Sequence, residues 1–153
     1  MAQVAGYLGA KINKQPTMTD FTSDITPIPH SQDRVFKVLS DLNNIGKFQK
    51  NVEGLPIKDL TFDTDSCRFT VDGVGKIALR IVEREPNKTI KLTSETSPVP
   101  FTCWIQLVEA GPNDTHLKLT LRADIPFLLK PMISKPLEKG IKKTAEALAA
   151  IPY

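Results

Sequence analysis

From Ile57 to Arg122 the sequence alternates apolar and polar residues in one run after another, with turn residues between the runs and no helix-length segment among them. Cys67, Phe69 and Val71 alternate with Arg68, Thr70 and Asp72, and Ile77, Leu79 and Ile81 with Lys76, Ala78 and Arg80. Ile90 and Leu92 stand against Lys91 and Thr93. Phe101, Cys103, Ile105 and Leu107 stand against Thr102, Trp104 and Gln106, and Leu117, Leu119 and Leu121 against Lys118, Thr120 and Arg122. Successive side chains of a strand point to opposite faces, so a period of two gives each strand one apolar and one wet face. Turn-forming residues at 63–66, 72–73, 85–88 and 111–114 join the runs, and Pro98 and Pro100 make a stiffer link. Links this short connect antiparallel neighbours, because a parallel crossover needs a dozen residues or more. The pattern predicts an antiparallel sheet of about six or seven strands and excludes a parallel β-α-β arrangement.

Helical signals flank this block. Ahead of it, Phe21, Ser23 and Ile25 alternate with Thr22, Asp24 and Thr26 as a half-buried strand that Pro27 and Pro29 end. Ser31 is placed as an N-cap, with Asp33 in the first turn where the helix dipole favours an anion. Val35, Val38, Leu39 and Leu42 form a helical stripe; Ile45, Phe48 and Val52 continue it as a second short helix closed by Gly54 and Pro56. Behind the block, Leu129, Ile133, Leu137, Ile141, Ala145 and Leu148 recur at three- and four-residue spacing with lysines opposite. Pro131 and Pro136 interrupt the start of this stripe. The expected form is a short turn from Phe127, a cap near Ser134 and a continuous helix to about Ala150.

A chain of 153 residues fits one domain and buries a sizeable core without staples. Its hydrophobic fraction of 41% and charged fraction of 24% suit a soluble globular protein, and a net charge of +3 is too mild to argue for nucleic acid. Cys67 and Cys103 lie in separate apolar runs with no CxxC pair or Cys/His cluster. They are expected as free buried thiols in a reducing compartment, with no metal site. No run approaches the ~18–20 apolar residues of a membrane span, so integral membrane association is not expected. Residues 1–17 lack periodicity and a basic n-region. They read as a disordered extension, or the product of an upstream start codon, ahead of a single domain over 18–153. The expected location is the cytoplasm.

Strand, two short helices, a run of hairpins and one long C-terminal helix is the helix-grip order. The sequence resembles the SRPBCC superfamily, which includes START lipid-transfer domains, pollen-allergen-like proteins and polyketide cyclases. The resemblance covers roughly residues 19–151. It is carried by Ile28, Pro29, His30 and Ser31 with Val35 and Phe36, by Val82, Glu83, Arg84, Glu85 and Pro86, and by the terminal amphipathic helix. It is nearest to small stand-alone bacterial members of Bacteroidetes type. It implies an α+β fold in which a curved sheet wraps the long helix and leaves an apolar pocket. Strand parity and the helical stripe name the expected lining as Phe21, Ile25, Phe69, Leu79, Leu92, Phe101, Ile105, Leu119, Ile133, Leu137 and Ile141, with Met132 added as a flexible rim residue. Ser23 and Cys103 are small inward residues that leave room.

The resemblance implies binding, and with it carriage, of a hydrophobic small molecule or lipid. Two other readings stand beside it: a polyketide cyclase or dehydrase-like enzyme, and an interaction module using the wet sheet face. An enzyme needs a pocket acid or base, and the inward set contains no Asp, Glu or His. No cofactor is expected. His30 sits at a strand–helix junction, and His116 shares the outward parity of Lys118 and Arg122. Asp72, Gly73, Val74, Gly75 and Lys76 lack phosphate-loop spacing and a following helix, and read as a hairpin. By parity the wet face carries Arg68, Lys76, Arg80, Arg84, Lys91, Lys118 and Arg122 against Asp24, Asp72 and Glu95. Only Trp104 offers that face a stacking aromatic, which argues against nucleic acid. A chain starting at Met18 is expected to keep the thermal midpoint of the full chain; a fall of many degrees would place residues 1–17 against the core.

Overall fold

In the computed structural model, which describes residues 18–48, 55 and 57–153, eight strands form one antiparallel sheet. The strands are β1 (Met18–Thr22), β2 (Thr26–Ile28), β3 (Ile57–Phe62), β4 (Ser66–Val71), β5 (Gly75–Glu85), β6 (Thr89–Thr96), β7 (Phe101–Gly111) and β8 (Asp114–Asp124). Helix α1 (Gln32–Leu39) and a 3₁₀ helix (Leu42–Lys47) follow β2; a 3₁₀ turn (Phe127–Leu129) and the long helix α2 (Lys130–Ala149) close the chain. The sheet runs β1-β8-β7-β6-β5-β4-β3, and β2 also pairs with β8. This is the α+β helix-grip arrangement. Residues 1–17, with Val52, Gly54 and Pro56 of the expected second helix, lie outside the described residues.

The core is built on the inner row of β8. Thr115, Leu117, Leu119, Leu121 and Ala123 are all buried. Ile90, Leu92, Ile105 and Leu107 extend this surface over β6 and β7. Val35 and Leu39 of α1 close one part of it, and Ile141 and Ala145 of α2 another. The main packing of α2 is on β8, β1 and β2. Ile151 and Tyr153, just past the helix, complete this end, where the Tyr153 hydroxyl donates to the Leu148 carbonyl at 2.6 Å.

Register shifts re-phase the alternation; two fall at Glu95 of β6 and Ala110 of β7, and three others are in the N-terminal edge, β3 and β5. Along the N-terminal edge, Thr22 faces Thr120 and Thr26 faces Leu117, so four steps on one strand match three on the other. One extra residue reverses which side chains point inward. Phe21 and Ile28 are therefore both buried, whereas Ile25 is turned out and 64% exposed. This corrects the inward placement of Ile25 and divides the single expected strand into β1 and β2. Ser23 holds the junction: its N–H donates to the Leu119 carbonyl at 2.9 Å, and its hydroxyl accepts the Leu119 N–H at 2.9 Å. In β3, Asp59 takes a left-handed φ of 56° between Lys58, opposite Thr70, and Thr61, opposite Arg68. In β5, Ile81 faces Leu92 but Glu83 faces Lys91, so Val82 is the extra residue and Arg84 comes opposite the buried Ile90. Arg84 thus leaves the outer face, where unbroken parity puts it. Its guanidinium donates to the Ser40 carbonyl at 2.9 Å and pairs with Asp65 at 2.6 Å, fastening the end of α1 and the β3–β4 turn to the sheet.

The helices depart from expectation at their starts. Ser31 has the extended backbone of an N-cap but makes no side-chain capping bond. Its hydroxyl serves the Asp33 carboxylate, which it holds below the usual carboxylate range. Helix α2 begins at Lys130, four residues before Ser134. Pro131 falls in its first turn, where the missing N–H has no partner to lose. Pro136 stays inside the helix on its exposed side, where water can serve the freed carbonyl.

Cys67 and Cys103 lie on the concave face, opposite Leu79 and Leu92 respectively, and are unlinked. Three strand spacings separate β4 from β7, about 14 Å, beyond disulfide reach. Burial pushes the Cys67 thiol up to about 11, with Asp63 adding to the shift, and the Cys103 thiol up to about 12. Unfolded thiols ionise near pH 9.0, so unfolding releases protons between pH 9.0 and about 12, and stability falls as pH rises through that window. Alkylation of the native protein at pH 8 is expected to be slow and to accelerate on unfolding; rapid native labelling of either thiol would move it off the concave face. Ser23→Ala, which leaves the buried Leu119 N–H without its acceptor, should cost roughly 1–3 kcal/mol in a denaturant titration.

Candidate functional site

The concave face divides into a closed part and a part left half-open. Of the expected lining, Phe21, Leu92, Ile105, Leu119 and Ile141 are buried in the core cluster. Phe69, Leu79, Phe101, Ile133 and Leu137 are only half-buried, and all but Phe69 pack against that cluster. Along helix α2, Ile141 and Ala145 are buried, while Ile133 and Leu137, two turns and one turn before Ile141, are half-covered, as is Leu148 near the helix end. The two remaining residues do not join this set. Ile25 is turned out by the bulge. Met132 is 71% exposed, because the helical step that points Ile133 inward carries its neighbour about 100° away, onto the side of Lys135 and Pro136.

Two open hollows mark the described surface. The larger, about 370 Å³, lies at the sheet rim where β1 starts and β8 ends; Met18, Ser94, Pro100, Phe101, Arg122 and Asp124 are among its walls. Of the twelve expected lining residues it touches Phe101 alone. The smaller, about 220 Å³, lies by the β3–β4 turn between Phe62, Asp63, Cys67 and Arg80.

The polar groups nearest the interior are already engaged. The Ser23 hydroxyl bridges the Leu119 N–H and the Asp24 carbonyl. Both thiols are held protonated at neutral pH by burial. His30 lies at the far end of the fold from the start of α2. Its ring meets Tyr153 edge-on at 5.6 Å, and its carbonyl accepts the Thr115 hydroxyl at 2.7 Å. Burial raises the Tyr153 phenol, so it too stays protonated. His116 stands 3.7 Å from Asp114. No group of three or more potential metal ligands occurs among the described residues.

The outer face is basic in count, and two of its arginines are paired. Arg80 meets Glu95 at 2.9 Å and Arg122 meets Asp20 at 2.7 Å. Trp104 lies between two cations, with the Lys91 ammonium 5.9 Å and the Arg122 guanidinium 5.8 Å from its ring centre. Sequence periodicity placed Trp104 on this face; the stacking partners come from strands β6 and β8, brought beside it by register. Arg84, Ser23, Ile151 and Tyr153 carried no sequence signal for their structural roles.

No family model matches the sequence, nor does any curated protein. Solved structures do match the fold. A START superfamily protein from Mycobacterium smegmatis superposes with a TM-score of 0.63 at 18% identity, over 86% of this chain and 94% of the other. Norcoclaurine synthase from Thalictrum flavum superposes with a TM-score of 0.67 at 12% identity, over 93% and 94%. The same enzyme in complex with dopamine and hydroxybenzaldehyde gives 0.64 at 16% identity, over 92% and 91%. At these identities the likeness is one of fold, and the fold of this chain is the START-like helix grip.

Proposed function

We propose that this protein binds a hydrophobic small molecule or lipid between the concave face of the sheet and the first half of α2. The observation that carries this reading is the incomplete burial of Phe69, Leu79, Phe101, Ile133 and Leu137, of which all but Phe69 pack against the buried core. A ligand that finished covering these side chains would gain roughly 25 cal/mol per Å² of apolar surface removed from water. Reversible burial of this kind also permits carriage. The START-like fold supports the reading, since its members commonly enclose hydrophobic ligands. The unlinked thiols fit a reducing compartment, and we place the protein in the cytoplasm. No helix among the described residues is long and apolar enough to cross a membrane.

A catalytic reading draws on the norcoclaurine synthase neighbours. Proton transfer at neutral pH needs a group with a matching pKa beside the ligand. The interior thiols and Tyr153 are shifted away from that range, and His30 is committed to Tyr153 at the other end of the fold. These placements favour binding over turnover.

The test is uptake of palmitate or of the apolar probe anilinonaphthalene sulfonate. Leu137→Trp should fill the half-open space and weaken uptake at least about tenfold, equivalent to ~1.4 kcal/mol, while the protein stays folded. Ile141→Trp acts on the closed core instead and should cost about 1–3 kcal/mol of stability. His30→Ala should leave uptake unchanged. If the wild-type protein takes up neither palmitate nor the probe, the binding function is wrong.

A further inference from the structure

The turn Phe127–Leu129 and the first turn of α2 hold apolar side chains in water. Phe127 is 79% exposed, Leu128 84%, Met132 71% and Leu129 37%. The other large exposed apolar residues, Ile25, Val82 and Val108, are scattered singly along the sheet, which is ordinary for a soluble protein. A run of neighbouring exposed apolar residues is not ordinary and marks a contact surface. Met18, paired with Asp124, stands at the same end of the sheet. The element that follows is basic. Helix α2 carries Lys130, Lys135, Lys139, Lys142 and Lys143 against Glu138 and Glu146. None of these lysines forms an ion pair among the described residues.

We infer that this end of the molecule docks on an anionic lipid bilayer. Phe127, Leu128 and Met132 enter the boundary between headgroups and acyl chains. The lysines lay their methylene stems along the same surface and keep their ammonium groups at the phosphates. A bilayer supplies an apolar layer and an anionic layer together and demands no shape complementarity, which suits a short protruding turn followed by flexible cations. A second copy of the chain on this patch would bring two basic helices together, and like-charge contact opposes that. The surface lies apart from the outer sheet face, where Arg80 and Arg122 are paired with carboxylates. The inference does not depend on an interior ligand.

Flotation of the full chain with vesicles tests it. The protein should float with phosphatidylcholine vesicles containing about one third phosphatidylglycerol and be released by salt, and it should not float with phosphatidylcholine alone. The double variant Phe127→Ser/Leu128→Ser should lose at least about tenfold in binding. Lys135→Glu with Lys139→Glu should lose binding as well. Met132→Ser serves where the double variant fails to fold. Val108→Ser, also exposed but on the sheet, should float like the wild type. The inference is overturned if the wild type does not float, if it floats equally with uncharged vesicles, or if the patch variants float unchanged. Two other results overturn it: self-association that Leu128→Ser abolishes, which makes a second copy the occupant, or flotation only after removal of residues 1–17, which makes that segment the occupant.

Discussion

The pairing of β8 on both of its edges is the constraint on which the rest of the molecule depends. One edge binds β7 along nearly its whole length, and the other binds β1 and β2. The inner row of β8 is the floor on which α2 rests. A strand used this way cannot shift register by one residue, because a shift would carry Leu117, Leu119 and Leu121 into water. The same rigidity creates a difficulty at the N-terminal edge, where the chain must pair twice and change phase between. Ser23 resolves it with a side chain. Its hydroxyl stands in for a backbone carbonyl, so the buried Leu119 N–H keeps a partner while the backbone steps out of the ladder. Leaving that donor unpaired would cost as much as several good contacts gain.

Much of this fold was legible in the sequence, for a simple reason. Alternation and turn chemistry are local, and between bulges each local run reports its face correctly. The hairpins β4–β5, β5–β6 and β7–β8 follow the turns at Asp72, Asn87 and residues 112–113, and Gly73 and Asn87 adopt left-handed conformations in theirs. What the sequence concealed is non-local. A bulge adds one residue without changing the composition of a run, so Ile25 and Arg84 each belong to a run whose parity is right at one end and reversed at the other. Asp59 did have a signal, being a residue type that tolerates a left-handed backbone, but only pairing with β4 shows that it is used. Met132 had none beyond its neighbours, because the inward direction of a helix is set by what it packs against. The candidate site was legible to the same degree. Of the twelve residues expected as lining, Ile25 and Met132 are turned out; the other ten are buried or half-buried, and which of them are closed and which half-open follows from tertiary packing.

The outer face shows how charge count and charge availability differ. Parity placed its cations there, and an interaction module on this face stood as one of the alternative readings. Register then sets Arg80 beside Glu95 and Arg122 beside Asp20, while Lys91 and Arg122 flank Trp104. Exposed pairs of this kind add little stability. Their consequence is that part of the face presents mixed charge, and exposed charges of this kind discourage edge-on association of sheets. Helix α2 has the opposite character: fewer cations in total, but none held in an ion pair among the described residues.

The two halves of α2 therefore have different physical duties. The second half is an anchor, with Ile141 and Ala145 buried against β8 and with Ile151 and Tyr153 locking the end beside His30. The first half contains Pro136, which removes one helical hydrogen bond, and presents Ile133 and Leu137 half-covered. Segments with few buried apolar contacts and weakened backbone bonding open at lower free energy than the core. Helix α2 is therefore held most firmly towards its end, while its first half packs against the core less completely. The exposed apolar turn at Phe127 and Leu128 lies just before that first half, so the less completely packed half of the helix adjoins apolar surface presented outward. In a fully packed protein these features would each cost stability without return; placed together on one half-helix, they join a partly covered interior to an apolar exterior.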